Sequence, residues 1–446
     1  MFRYAERYLL EWIQKKEKSP LLIRGARQVG KTYLVETLGR QHFNQMHVIN
    51  FELMPECTAC FSTLDPEEIL RRLNLLKGFE IRTEDTLLFL DEVQQCPEAI
   101  LALRYFKEKM PGLAVIAAGS LLEFTLNDVN FRMPVGRVEF MHMHPLSFKE
   151  FLLALGEKSL VSWIESIHIK DTQDPIYPAL HEKCLGLLRE YCIVGGMPEA
   201  LRHYVKNRSH IQELQNQQGK LLQGYVLDFG KYAKTNIQHK NLQNIFAKLP
   251  QCVGHQVRYH RIDPNLASRE IRTSLEMLKL AGLCHFVWGA SGAGLPLGAT
   301  INEKKLKLTY VDVGLYLRAL YLDPKTILWE ELDLVNEGAL CEQFVAQELL
   351  VSKPCFEKAQ LYFWAREAAG SQAEVDYLWQ IHDKIIPIEV KSGASAWLKS
   401  LNLFKQIYAS PFGVRFSSRH LAWDEAAGLF SIPLYLVSEM DRLLGQ

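Results

Sequence analysis

The sequence has no excess of either charge and no long apolar run. It contains 51 lysines and arginines against 51 aspartates and glutamates in 446 residues, so its net charge at pH 7 is zero with neutral histidines. The molecule as a whole is therefore not a polycation that binds nucleic acid by overall charge. No window approaches the roughly eighteen uncharged apolar residues of a transmembrane helix, so we expect no membrane partner.

A signal peptide is also missing, because charged residues interrupt the apolar stretches of the N-terminus (Arg3, Glu6, Arg7 and Glu11). We therefore expect a cytoplasmic protein. Its nine cysteines are scattered, which in the reducing cytoplasm favours buried thiols over disulfides. A chain of 446 residues is too long for one hydrophobic core and predicts two or three domains.

A glycine-rich loop is the first motif that points to chemistry. It follows the buried-strand run Leu21-Leu22-Ile23 and precedes a segment with helical spacing of apolar residues. In this setting backbone N–H groups bind phosphate oxygens, Lys31 reaches the β- and γ-phosphates of ATP, and Thr32 offers its hydroxyl to Mg²⁺. The predicted ATP-binding residues are Gly25, Ala26, Arg27, Gln28, Val29, Gly30, Lys31 and Thr32.

Two acidic residues end a later strand-like run. Residues 86–90 have the composition of a central strand and lead into Asp91 and Glu92. Carboxylates at the end of a buried strand are costly unless a cation or another partner meets them. We assign Asp91 to the Mg²⁺ of ATP-Mg and Glu92 to the activation of the attacking water.

Two further polar residues are candidates for the same reaction. Ser120 follows the buried run 113–118 and could position the water, and the alternative is a structural serine in a turn. Arg137 precedes a strand-like run and could act as an arginine finger on the nucleotide of a neighbouring subunit, which would require a homo-oligomer. Arg132 competes with Arg137 for that role.

Several segments together resemble one bacterial and archaeal branch of AAA-type ATPases. Members of this branch commonly carry a C-terminal domain related to restriction-endonuclease-like folds of the PD-(D/E)xK type. The resemblance therefore implies a P-loop NTPase sheet at the N-terminus and such an α/β domain at the C-terminus. The segments that carry it are Gly25–Thr32, Leu88–Gln94, Gly119-Ser120, Pro145–Phe151, Gly195–Pro198 and Tyr310–Leu315.

The middle of the chain predicts a helical region followed by a winged helix. A helix from about residue 268 to 281 precedes two strand-like runs that a glycine-rich loop separates, an order typical of a winged helix. Nine lysines and arginines against three acids lie between residues 231 and 279, which indicates a DNA-binding surface. We expect Arg269, Arg272 and Lys279 to contact phosphates. The alternative is a winged helix that only packs between domains.

Two strand-like runs near the C-terminus bring acids together. A short turn between them places Asp376 opposite Glu389 and Glu374 opposite Lys391 in an antiparallel pair. Opposed carboxylates are destabilising, and a divalent cation would remove that repulsion.

Glu342, on the apolar side of a predicted helix over residues 339–350, adds another acid. A helix acid, a strand aspartate and Glu-x-Lys resemble the constellation of metal-dependent endonuclease-like folds, in which carboxylates bind Mg²⁺ or Mn²⁺ and the lysine helps to activate water. The resemblance implies a second metal site formed by Glu342, Asp376 and Glu389, with Lys391. The alternative is a surface hairpin with a cross-strand ion pair.

The sequence thus predicts a three-part α/β protein. Its parts are an AAA-type ATPase domain (1–147), a middle part made of a helical region (148–249) and a winged-helix-like region (250–330), and an endonuclease-like α/β domain (331–446). The leading hypothesis is ATP hydrolysis coupled to DNA binding, with metal-dependent nuclease activity as an addition in the last domain. The alternative is a nucleotide-switched protein-interaction or remodelling ATPase whose nuclease-like domain is inactive.

Overall fold

The chain divides into two compact units. The structure, a computed structural model, describes residues 2–79, 81, 85–128, 131, 136–169, 174, 176–329, 338–367, 373–390 and 398–445. The first unit contains residues 1–144, 280–282 and 354–358, and the second contains 145–279, 283–353 and 359–446. No helix in the described ranges is long and apolar enough to cross a membrane.

The first unit is built on a parallel sheet. Its described residues form five strands in the order β2-β3-β4-β1-β5, and every neighbouring pair is parallel. Strands β3 and β4 are buried along their whole length, as expected for central strands covered on both faces. The predicted P-loop NTPase fold is confirmed. The elements are β1 (Leu21–Arg24), β2 (Gln45–Asn50), β3 (Thr86–Asp91), β4 (Ala114–Ala118), β5 (Glu139–His142), α1 (Ala5–Gln14), α2 (Lys31–His42), α3 (Pro66–Lys77), α4 (Pro97–Lys109) and α5 (Leu122–Leu126).

The second unit starts with helices and continues into a mixed sheet. Its described residues form eight strands in the order β12-β13-β11-β10-β9-β8-β6-β7. The helices are α6 (Phe148–Ala154), α7 (Lys158–Ser166), α8 (Tyr177–Val194), α9 (Pro198–Lys206), α10 (Ile211–Asp228), α11 (Asn236–Lys248), α12 (Tyr259–Ile262), α13 (Ser268–Leu280), α14 (Val313–Ala319), α15 (Pro324–Trp329), α16 (Ala339–Ser352), α17 (Lys399–Tyr408) and α18 (Met440–Leu444). The strands are β6 (Cys284–Ala290), β7 (Ile301–Tyr310), β8 (Leu361–Ala365), β9 (Glu374–Ile381), β10 (Lys384–Val390), β11 (Gly413–Ser417), β12 (Ala422–Asp424) and β13 (Leu429–Pro433).

The predicted winged-helix elements exist, but their hairpin belongs to this sheet. Strand β6 pairs with β7 in antiparallel fashion and with β8 in parallel, so one edge of β6 is taken up by the C-terminal region. In a winged helix, this hairpin would project next to the helix as a free wing and would not pair with a strand of another region. The sequence-based boundary near residue 330 therefore runs through one continuous sheet.

The two segments Gly195–Pro198 and Tyr310–Leu315 meet in the second unit. Asp312 caps α14 by accepting a hydrogen bond from the Leu315 amide at 3.0 Å, and it also accepts one from the Gly196 amide at 2.6 Å. A Cβ atom on Gly195 would lie 2.1 Å from an oxygen of Asp312. This close approach gives both segments a structural reason for their glycines.

The β9–β10 hairpin has the register that the sequence predicts. Ile388 pairs with Tyr377 and Lys384 with Ile381, so the next position places Glu389 opposite Asp376. Helix α16 also matches the predicted helix that carries Glu342.

Candidate active site

The glycine-rich loop lies between β1 and α2 in a conformation that few residues adopt. Gly25, Gln28 and Gly30 have φ angles of 144°, 67° and 95°. A Cβ atom on Gly25 would also lie 2.2 Å from the carbonyl oxygen of Met143, so this position excludes any larger residue. Loops of this kind, followed by a helix N-terminus, bind phosphate through backbone N–H groups.

Lys31 is buried at the start of α2 with only 7% of its surface exposed. Its Nζ atom donates to the carbonyl oxygens of Gly25 at 2.9 Å and Ala26 at 2.8 Å. Burial lowers the pKa of Lys31 to about 8, although the negative charges of Glu92 and Asp91 oppose this shift. Neutral carbonyls therefore hold an ammonium group that an anion would bind more strongly.

Asp91 ends β3 and contacts the loop directly. One of its oxygens, Oδ2, accepts hydrogen bonds from Thr32 Oγ1 and Asn50 Nδ2, both at 3.1 Å. Burial and the charge of Glu92 raise the pKa of Asp91. A hydroxyl and a carboxylate in contact at the carboxyl edge of the sheet fit the predicted Mg²⁺ of ATP-Mg.

Asn50 did not emerge from the sequence. It ends β2, the strand next to β3, so its side chain comes to the same sheet edge as Asp91. Its position as a polar residue at the end of a strand-like run could have identified Asn50 in the sequence.

Glu92 lies beside Ser120, as the two predicted roles would require. Its φ angle of 50° is left-handed, which is uncommon for a residue with a side chain. Its Oε2 atom accepts hydrogen bonds from Gln94 Nε2 at 2.6 Å and from Ser120 Oγ at 3.1 Å. The structure thus brings Lys31, Asp91, Glu92 and Ser120 into one cluster, and their catalytic roles stay predictions.

Arg137 lies outside this cluster. Its Nε atom is 3.1 Å from Glu108 Oε1, and its side chain is 49% exposed. An exposed guanidinium agrees with a role at a neighbouring subunit, which stays a prediction. The competing Arg132 falls outside the described residues.

Arg3 supports the loop from the N-terminal segment and was not predicted. It is buried, and its guanidinium donates to the carbonyl oxygens of Val29 at 2.9 Å and His144 at 2.6 Å. The Val29 carbonyl is thereby fixed inside the loop.

The predicted second metal site in the other unit contains a cation of its own. Lys307 Nζ on β7 lies 2.6 Å from Glu374, 3.2 Å from Glu342 and 3.4 Å from Asp376. Burial lowers the pKa of Lys307, but the opposite effect of the carboxylates of Glu342, Asp376 and Glu374 is larger. The pKa of Lys307 is therefore raised well above its usual value. Burial and the charge of Asp376 also raise the pKa of Glu342 to about 8, against the effect of Lys307.

These residues do not fit a resident divalent cation. No group of three or more histidine, cysteine, aspartate or glutamate side chains suited to a metal occurs in the described part of the chain. Asp376 also accepts a hydrogen bond from the Val390 amide at 2.8 Å. Glu389 is buried, and Lys391 falls outside the described residues.

Lys307 was missed because the sequence places it among other lysines of one strand. Leu306, Leu308 and Tyr310 alternate with it, and both faces of this part of β7 are buried. A lysine within such a buried run needs a negatively charged partner. This requirement could have identified Lys307 in the sequence.

The three predicted phosphate contacts have different surroundings. Arg269 is exposed, whereas Arg272 pairs with Glu276 at 3.0 Å and Glu303 at 3.2 Å. Lys279 Nζ lies 4.6 Å from the ring centroid of Phe286, in a cation–π contact.

Comparisons with known families divide the chain in three. Residues 17–152 match the family described as AAA domain (AAA_14). Residues 185–326 match a domain of unknown function (DUF8612), and residues 337–435 match another (DUF4143). A comparison with curated proteins finds no significant match.

The chain is also similar to proteins of known structure. The Walker-type ATPase PABY2304 of Pyrococcus abyssi is 14% identical, over 71% of this chain and 94% of that one, with a TM-score of 0.43. The RuvB Holliday junction branch migration motor of Thermotoga maritima is 15% identical, over 67% and 91%, with a TM-score of 0.30. AMPPCP-bound DnaA from Aquifex aeolicus is 10% identical, over 63% and 89%, with a TM-score of 0.25. The match to the AAA domain family agrees with the parallel sheet and its loop: this part of the chain is an AAA-type P-loop ATPase domain.

Proposed function

We propose that the first unit binds ATP-Mg and hydrolyses the phosphoanhydride bond between its β- and γ-phosphates. The observation that carries this proposal is the contact of Thr32 with Asp91, next to Glu92 and the buried Lys31. The glycine-rich loop, the ammonium group of Lys31 and the carboxylates of Asp91 and Glu92 thus lie together at one edge of the sheet.

Each residue has a separate task in the proposed reaction. Lys31 exchanges its carbonyl partners for phosphate oxygens. Thr32 and Asp91 would hold Mg²⁺, which would neutralise negative charge on the phosphates. Glu92 accepts a proton from the attacking water, and Ser120 fixes the orientation of its carboxylate.

The substitution Glu92→Gln tests this proposal. It should leave ATP binding intact and lower kcat by about 100-fold or more, since only the proton acceptor is lost. Glu67→Gln on the exposed start of α3 is a matched control with unchanged turnover. Loss of ATP binding in Glu92→Gln would contradict the division of roles between Asp91 and Glu92.

We further propose that the second unit binds DNA next to α12 and α13. Arg258, Arg261 and Arg269 are exposed, and none of the ion pairs among the described residues uses them. Exposed pairs such as those of Arg272 contribute little free energy, so phosphates could displace its carboxylate partners.

Salt dependence and ATPase stimulation test DNA binding together. Replacing Arg258, Arg261 and Arg269 by glutamine should weaken DNA binding and reduce the slope of log K against log salt by about 0.9 for each lost phosphate contact. A charge-matched control replaces the exposed Lys206, Arg208 and Lys220. Absence of DNA binding and of DNA-stimulated turnover would favour the protein-interaction or remodelling alternative.

Arg137 motivates a proposal about assembly. Its described partners are Glu108 and the Gly136 carbonyl, and the proposed role is contact with the nucleotide of another subunit. Mixing Arg137→Ala with Glu92→Gln should restore turnover if subunits share the site, because some interfaces then contain both wild-type residues. No recovery, with a monomeric wild type during turnover, would contradict an arginine finger in trans.

Two of the three acids predicted as metal ligands for nucleic-acid cleavage, Glu342 and Asp376, instead pair with the Lys307 ammonium. The proposed function of the second unit is therefore binding without cleavage.

A further inference from the structure

Gln94 contacts the proposed proton acceptor and has no role assigned so far. It lies in the short helical turn Val93–Gln95, directly after Glu92 and before α4. Its Nε2 atom donates to Glu92 Oε2 at 2.6 Å, which is the closest of the hydrogen bonds made by the Glu92 carboxylate among the described residues.

The other end of the Gln94 amide is confined. A Cβ atom on Gly119 would lie 2.2 Å from Gln94 Oε1, so the amide occupies the space that the missing side chain of Gly119 leaves open. This Oε1 atom is buried and has no hydrogen-bond partner among the described residues. The amide is thus confined with its nitrogen directed at Glu92.

Both donors to Glu92 act on the same oxygen. Ser120 Oγ and Gln94 Nε2 each bind Oε2, and they come from different segments of the chain, the end of β4 and the turn after β3. A carboxylate fixed at one oxygen from two directions has one orientation. Its Oε1 atom is then the acceptor available to water.

From this geometry we infer that Gln94 is a positioning residue for hydrolysis: its amide and the Ser120 hydroxyl clamp Oε2 of Glu92 so that Oε1 faces the attacking water. The inference rests on the proposed ATPase function and deepens it. Glu92 has a left-handed backbone, so its side chain leaves the strand in an unusual direction and depends on such contacts for its orientation.

The substitution Gln94→Met keeps the length of the side chain and removes the donor. We expect kcat for ATP to fall about 10- to 100-fold, with the KM for ATP and the melting temperature near wild-type values. Gln95→Met, at the adjacent exposed position, is the matched control and should keep wild-type kcat.

A second arm asks whether Gln94 acts through Glu92. In a Glu92→Gln background the substitution Gln94→Met should cause no further loss, because the group that it positions is already absent. A loss of the same size in both backgrounds would overturn the inference, since Gln94 would then act on something else. Wild-type or raised kcat in Gln94→Met would overturn it as well.

A second variant, Gln94→Glu, tests the inference if Gln94→Met folds poorly. Gln94→Glu keeps the shape of the side chain but can donate to Glu92 only when protonated. Its kcat relative to wild type at the same pH should therefore rise as the pH falls, whereas a ratio independent of pH would contradict the inference.

The outcomes separate this inference from the proposed function. Absence of ATP hydrolysis in the wild type would remove the proposed function itself, and full turnover in Glu92→Gln would remove the role of Glu92 together with that of Gln94. Impaired turnover in Glu92→Gln together with normal turnover in Gln94→Met would remove only the role of Gln94.

Discussion

The two units each bury a lysine, and the comparison of these lysines distinguishes a ligand site from an internal ion cluster. Lys31 is 7% exposed and Lys307 is 3% exposed. Lys31 donates to two neutral carbonyl oxygens, whereas Lys307 lies within 3.4 Å of three carboxylates. Burial lowers the pKa of Lys31, and carboxylates raise that of Lys307.

The difference shows that burial alone does not indicate function. An ammonium group bound only to carbonyls keeps most of its charge for an external anion, and the loop around Lys31 offers a place for phosphate. An ammonium group surrounded by carboxylates is already neutralised within the protein. Lys307 is therefore expected to stabilise the second unit.

The largest expected effect is on catalysis. Lys31→Ala should lower ATP turnover at least about 1,000-fold, because the positive charge that stabilises the β- and γ-phosphates is lost. The fold should remain intact, as judged by circular dichroism. Lys16→Ala at an exposed position is the control. Wild-type turnover in folded Lys31→Ala would remove the distinction between the two lysines.

The next effect is on stability. Lys307→Met leaves buried carboxylates without their cation and should lower the free energy of unfolding by about 3–5 kcal/mol, measured in urea. Lys304→Met on the exposed part of the same strand is the control. Adding Glu342→Gln and Asp376→Asn should recover part of the loss, because the neutral side chains no longer need a cation. Unchanged stability in Lys307→Met would contradict an internal ion cluster.

Divalent cations should have a smaller effect that depends on Lys307. Mg²⁺ or Mn²⁺ without nucleotide should give the same shift in melting temperature in wild type and in Asp376→Asn, because the Lys307 ammonium already occupies the space between the acids. Lys307→Ala should gain a metal-dependent increase that Asp376→Asn removes again. A metal-dependent gain in wild type that disappears in Asp376→Asn would restore the predicted metal site.

The smallest expected effect is on pH dependence. Lys31 is charged below its pKa of about 8 in the free protein and loses that charge as the pH rises, so ATP affinity should fall about tenfold between pH 7 and pH 9. Binding near pH 8.5 should take up a proton, which calorimetry in two buffers of different ionisation enthalpy detects. An affinity for ATP that does not change with pH would show that the environment of Lys31 does not lower its pKa.

Local patterns made most of the first site predictable. The loop from Gly25 to Thr32 is one continuous motif, and Asp91 with Glu92 at the end of β3 is another. The chemistry of each motif is set by its spacing along the chain. The hairpin register was predictable for the same reason, since the short turn fixes which residues of β9 and β10 face each other.

The remaining contacts depend on residues that are far apart in sequence. Lys307 meets Glu342 and Asp376 across 35 and 69 positions, and no local period relates them. Asn50 reaches Asp91 only because β2 and β3 are neighbours in the sheet. The pairing of β6 with β8 likewise joins segments that the sequence assigned to separate regions.

That last pairing limits what can be cut from the second unit. A fragment that begins at residue 338 would lose β6 and β7, so β8 would become an exposed edge open to pairing with other chains. It would also lose Lys307, and the acids at 342, 374 and 376 would be left to repel one another. Added metal could then rescue such a fragment without having any place in the intact protein.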